Sequence, residues 1–117
     1  MGRTWVEVEI SDLRKKKSAK YKALVDTGAT LTALPEKVAN ELGIKPIMEE
    51  EVMTGAGTVK VKRGRAWIKL ENKEAPFDVW ISDFIDKVLL GVVVLENFGF
   101  EVDPATGKLK RRPLLLY

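Results

Sequence analysis

The chain has 117 residues, 45% hydrophobic and 32% charged, an ordinary globular composition whose size fits a single domain over residues 1–117. It holds no cysteine and no histidine, which excludes Ser–His and Cys–His nucleophiles, thiol chemistry and zinc sites built on those ligands. Carboxylates remain as the acid–base groups suited to neutral or mildly acidic pH. The net charge of +3 is mildly basic. Solvated turn and edge charge at Arg14–Lys17 and Lys108–Arg112 is favoured over a nucleic-acid surface.

Val6, Val8 and Ile10 alternate with Glu7 and Glu9, the period of a half-buried strand. Ser11 to Ser18 reads as a polar, basic loop. Tyr21 to Val25 is the next strand and runs straight into Asp26. Leu31 to Leu34 is a short apolar segment. Pro35 then suits the first turn of a helix and Gly43 its C′ position, with Val38, Ala39 and Leu42 sharing one face. Lys45 to Met53 is extended, Thr54 to Thr58 is a glycine turn, and Val59 to Lys62 returns. Arg65 to Leu70 and Phe77 to Ile81 alternate around a turn at Asn72-Lys73-Glu74. Lys87 to Leu90 approaches Gly91. Val92 to Phe98 reads as a short helix ended by Asn97 and Gly99. Phe100–Val102 and Lys108–Lys110 flank the hairpin turn Asp103–Gly107. Many short strands at close spacing with two small helices predict a mostly β, closed or sandwiched fold. No signal-peptide pattern or long apolar span is present, so the expectation is a cytosolic protein with no membrane contact.

The stretch Leu24-Val25-Asp26-Thr27-Gly28-Ala29-Thr30 places one carboxylate at the end of an apolar strand, in a turn tight enough to need glycine. Taken alone, an Asx-type turn ending a strand explains it equally well. Three further features fall in order behind it. They are the hairpin tip Gly55-Ala56-Gly57 between Met53 and Val59, the run Leu89-Leu90-Gly91, and the closing run from Leu95 to Pro104. Together the four resemble retropepsin-like aspartic proteases, and the ending from Gly91 to Pro104 is most similar to the archaeal and bacterial single-domain branch. The resemblance covers about residues 5 to 110.

The resemblance implies a retropepsin-like closed β fold and an aspartic endopeptidase without metal or cofactor. It implies Asp26, Thr27 and Gly28 as the catalytic loop, with Thr27 bracing the loop against its dimer mate. Ala29, Thr30, Met53, Gly55, Ala56 and Gly57 are implied as substrate-binding residues, the last three as the tip of a mobile flap. Leu89, Leu90 and Gly91 are implied as support beneath the loop, with Gly91 leaving room for a crossing chain. One Asp-Thr-Gly cannot supply two aspartates, so a homodimer acting on a peptide or protein is implied. Two positions depart from the viral pattern: Thr30 stands where an Asp follows the Ala, and Val92 where an Arg follows the second glycine. The viral arginine brace of the dimer is therefore absent, and Glu96 or the C-terminal strand stands as its replacement. Two rival readings stay open: a dimeric interaction module of the same fold without turnover, and a small β-barrel binding nucleic acid. The barrel reading explains the charge but none of the four features.

Overall fold

A computed structural model describes residues 3–116. Its elements are β1 (Trp5–Ser11), β2 (Ser18–Val25), β3 (Thr32–Pro35), α1 (Glu36–Leu42), β4 (Met48–Thr54), β5 (Gly57–Leu70), β6 (Lys73–Ser82), β7 (Val88–Leu90), α2 (Val92–Phe98), β8 (Phe100–Asp103) and β9 (Lys108–Arg111). Strands β1 to β7 join in the order β1-β2-β7-β3-β6-β5-β4, and β1 also pairs with β5. That extra pairing bends six strands into a closed ring and leaves β4 outside it, held by β5. Closure removes the free edges that invite aggregation.

The ring forms because each strand keeps one apolar face. Val8, Ile10, Ile68, Leu70, Val79 and Leu90 are all buried, while Glu7, Lys22 and Lys69 point out. The period of two puts every second side chain inside. Helix α1 covers the core with Val38, Ala39 and Leu42 and ends at Gly43, whose φ of 70° is the left-handed cap that glycine adopts without strain. Helix α2 does the same with Val94, Leu95 and Phe98. Phe98 meets Phe77 edge-to-face at 5.3 Å between ring centroids. Lys73 Nζ donates to the Phe98 carbonyl at 2.8 Å, capping the helix end. Both helices span the residues that their flanking prolines, glycines and apolar spacing predict.

Two local expectations change. The stretches Val59–Lys62 and Arg65–Leu70, read separately, are one: β5 is a single strand of 14 residues running through Gly64. A Cβ at Gly64 would lie 3.2 Å from the Lys45 carbonyl and 3.3 Å from Ile81, so the glycine marks a close approach of other elements rather than a turn. The following turn sits one residue earlier than expected, at Glu71-Asn72, because Leu70 pairs directly with Lys73. Glu71 takes a φ of 57° to make it.

The basic loop between β1 and β2 is tied down at several points. Asp12 accepts the Lys17 N–H at 2.9 Å, and that bond, ahead of any other cause, holds its carboxyl below the usual range. Trp67 Nε1 donates to the Leu13 carbonyl at 3.0 Å. Lys15 pairs with Glu74 and lies over the Trp67 ring. No helix among the described residues is long and apolar enough to cross a membrane.

Candidate active site

Strand β2 runs parallel to β7, with Leu24 opposite Leu89 and Val25 opposite Leu90. The register carries the chain out of the sheet at Asp26, whose N–H donates to the Leu90 carbonyl at 3.0 Å. The chain then folds back on itself. The Gly28 N–H donates to Asp26 Oδ1 at 3.0 Å, and the Ala29 N–H to the Asp26 carbonyl at 3.1 Å. These are the bonds of an Asx-type turn. A Cβ on Gly28 would sit 3.3 Å from that carboxylate oxygen, so the turn is tight at this point. Asp26 is half-buried, while Thr27 and Gly28 are exposed.

The far side of the loop is gripped by the residues after β7. The Val92 N–H donates to the Ala29 carbonyl at 2.8 Å and the Val93 N–H to the Thr30 carbonyl at 3.1 Å. Gly91 lies where the chain from Leu31 to Thr32 crosses: a Cβ there would fall 2.4 Å from the Leu31 carbonyl carbon. Leu89 and Leu90 thus reach the loop through the parallel pairing, and Gly91 to Val93 reach it through backbone contact. One residue was not foreseen. Thr32 is 1% exposed, and its Oγ1 accepts the Gly91 N–H at 3.0 Å. Its only sequence signal is a hydroxyl residue inside the apolar run Leu31–Leu34.

The hairpin of β4 and β5 is paired from Met48 opposite Arg63 to Thr54 opposite Gly57. Its tip is Gly55-Ala56. The Ala56 N–H donates to Thr54 Oγ1 at 3.1 Å, and that hydroxyl donates to the Gly57 carbonyl at 2.7 Å. Gly57 has a φ of 113°, where a side chain is strained, whereas Gly55 has open space around it. Met53 beside the tip is 87% exposed. The base is fixed instead by charge. Arg63 donates to Asp78 on β6 at 2.7 Å and to Glu50 on β4 at 3.1 Å, and Trp80 Nε1 also donates to Glu50. Asp78 first, and Glu50 with it, hold Arg63 in its charged form. The hairpin therefore has a base fixed by ion pairs and an exposed tip closed by the Thr54 hydroxyl.

A family model described as "gag-polyprotein putative aspartyl protease" matches residues 14–97. The chain belongs to this family of aspartic proteases. Solved structures agree with that placement. The retropepsin-like aspartic protease from Rickettsia conorii is 26% identical, with 87% of this chain and 85% of that chain covered and a TM-score of 0.56. The simian foamy virus (mac) protease is also 26% identical, covering 79% of this chain and 91% of that one at a TM-score of 0.55. EIAV protease complexed with the inhibitor HBY-793 is 21% identical and superposes at a TM-score of 0.69 over 84% of this chain and 89% of that chain, a likeness of fold. No curated protein matches the chain. The retropepsin-like fold expected from the four motifs is therefore the fold of this chain. Glu96, one candidate for the missing arginine brace, is exposed on α2, and Val92 at the arginine position is half-buried.

Proposed function

We propose that this retropepsin-like protein is an aspartic endopeptidase, active as a homodimer with one Asp26 from each subunit. The observation that carries the proposal is a single Asp-Thr-Gly turn, held at the end of β2 by backbone bonds on both sides, in a chain with no second copy of it. A C₂ axis is the commonest way to bring two such loops together. Exposed apolar residues lie towards both ends of the chain. Trp5, 37% exposed, pairs with Leu24, two positions before Asp26. Leu114, Leu115 and Leu116, 62% to 94% exposed, extend beyond β9. These ends are the surfaces proposed to meet in the dimer.

The chemistry follows from electrostatics. Two carboxylates about 3 Å apart do not both ionise, and share one proton, as is known for aspartic-protease dyads in general. The ionised member takes a proton from a water between them as that water oxygen attacks the scissile carbonyl carbon. The protonated member donates to the carbonyl oxygen. The tetrahedral intermediate collapses when a carboxyl proton passes to the leaving nitrogen, so the enzyme forms no covalent bond and needs no cofactor. The test is cleavage of a mixed peptide library by the purified protein across pH 4 to 7, together with its sedimentation behaviour. Cleavage by a species that is strictly monomeric overturns the dimeric dyad. A stable dimer that cleaves nothing leaves the interaction-module reading.

The hairpin is proposed to act as a flap whose closure excludes water from the reacting groups. Gly55→Val is then expected to lower kcat/KM at least about tenfold by stiffening the tip, with stability changed by less than about 0.5 kcal/mol because nothing crowds a side chain there. Gly57→Val is expected to cost about 1 kcal/mol more through its positive φ. Unchanged cleavage in Gly55→Val, read beside its urea midpoint, reduces the hairpin to a simple turn.

The residue after Gly28 is expected to set the pH range. Ala29 offers no hydroxyl to the carboxylate. In Ala29→Ser the hydroxyl can donate to the ionised dyad, favouring that form, so the acidic limb of kcat/KM moves to lower pH. A pH–rate profile in which the limb of the serine variant stays in place, or moves upward, removes this account.

A further inference from the structure

We infer that Thr32 is a positioning residue for the Asp26 loop, and that it sets the loop from within one subunit, in a chain that has valine where an arginine brace is expected. This deepens the peptidase reading and rests on it. The geometry begins at Gly91, where β7 has ended and α2 has not begun. Its N–H is outside any strand ladder, the residue is buried, and the Leu31–Thr32 backbone is packed directly on its Cα. Such an amide needs an acceptor from the protein itself. The acceptor is Thr32 Oγ1 at 3.0 Å.

That bond joins two segments that hold the loop on opposite sides. Thr32 opens β3 and terminates the loop that starts at Asp26. Gly91 is followed by Val92 and Val93, whose N–H groups bind the Ala29 and Thr30 carbonyls. It is preceded by Leu90, whose carbonyl accepts the Asp26 N–H. One hydroxyl therefore fixes the segment that supplies three of the loop's backbone bonds. Thr32 touches no substrate in this arrangement and acts through the loop alone. All of these bonds are made within one chain.

The experiment compares native protein, Thr32→Val and Thr32→Ser. Valine keeps the shape and removes the acceptor, while serine keeps the acceptor and loses a methyl. Thr32→Val is expected to lower kcat by about 100-fold, the scale of a 1 Å misplacement of reacting groups, with KM and the dimer dissociation constant changed less than about threefold. Thr32→Ser is expected to restore kcat to within about fivefold of native. Amide exchange at Gly91, Val92 and Val93, measured in the same proteins, should quicken in the valine variant and not in the serine variant. Equal loss of kcat in both variants, or exchange that is unchanged in Thr32→Val, overturns the inference. If the native protein cleaves no peptide, the peptidase reading fails, and the exchange data alone still decide whether Thr32 sets the loop.

Discussion

Asp26→Asn is expected to lower kcat by about 10⁴-fold or more while leaving the fold in place, because it removes both the base and the acid of the proposed dyad at once. The substitution suits the question. Asparagine has the shape of aspartate, and its Oδ1 still accepts the Gly28 N–H that forms the turn at 3.0 Å. The loop should therefore keep its geometry, and the melting temperature should move by only a few degrees. A second measurement reads the stoichiometry of the site. Native and Asp26→Asn chains mixed in equal amounts and allowed to exchange form mixed dimers with only one carboxylate. If both are required, about a quarter of the dimers remain competent, and activity falls to that fraction rather than to one half. A linear fall with the fraction of variant means that each subunit works alone, and the shared dyad is then wrong. Residual cleavage by pure Asp26→Asn within tenfold of native moves the catalytic acid elsewhere in the chain.

How much of this was legible in the sequence depends on how local each requirement is. The helix ends were legible because Pro35, Gly43 and Gly99 carry backbone demands that neighbouring residues do not alter. The strands were legible from alternation, as in Val6, Val8 and Ile10. The joining of Val59–Lys62 to Arg65–Leu70 through Gly64 was not legible, because the approach of Lys45 and Ile81 to Gly64 comes from other elements. Closure was expected from the strand spacing and the family likeness, but the strands that close the ring were not, since the pairing of Glu9 with Lys69 leaves no local mark on either strand. The Asp26–Gly28 turn announces itself. Its dependence on Leu90 to Val93 comes from a parallel pairing between segments more than 60 residues apart, and only the likeness to a family brought the two together on the page. Thr32 shows the limit best: a hydroxyl in an apolar run asks for a partner but does not name Gly91.

Gly91→Ala is expected to be the most damaging single-methyl change in the chain, lowering stability by about 3 kcal/mol or more. Backbone strain is not the reason. Gly91 sits at φ −84° and ψ 169°, a conformation open to any residue. The obstacle is space. The added methyl would lie 2.4 Å from the Leu31 carbonyl carbon, 2.5 Å from its oxygen and 2.7 Å from the Thr32 nitrogen. Carbon atoms pack at about 3.5 to 4.0 Å, so the overlap exceeds 1 Å. A Cβ has no rotamer by which to escape, and its neighbours are backbone rather than flexible side-chain ends. Either the Asp26 loop moves away from α2, breaking the Val92 and Val93 bonds, or β7 shifts in the barrel. Both routes disturb the candidate site and the core together, so melting temperature and cleavage should fall in the same variant. Gly55→Ala provides the contrast, since nothing lies within 4 Å of the methyl it introduces, and its stability should stay within about 0.5 kcal/mol of native. Urea unfolding of the two variants is the measurement. If Gly91→Ala unfolds within about 1 kcal/mol of native, the crossing of the loop over Gly91 is looser than these distances require, and the loop's support must lie elsewhere.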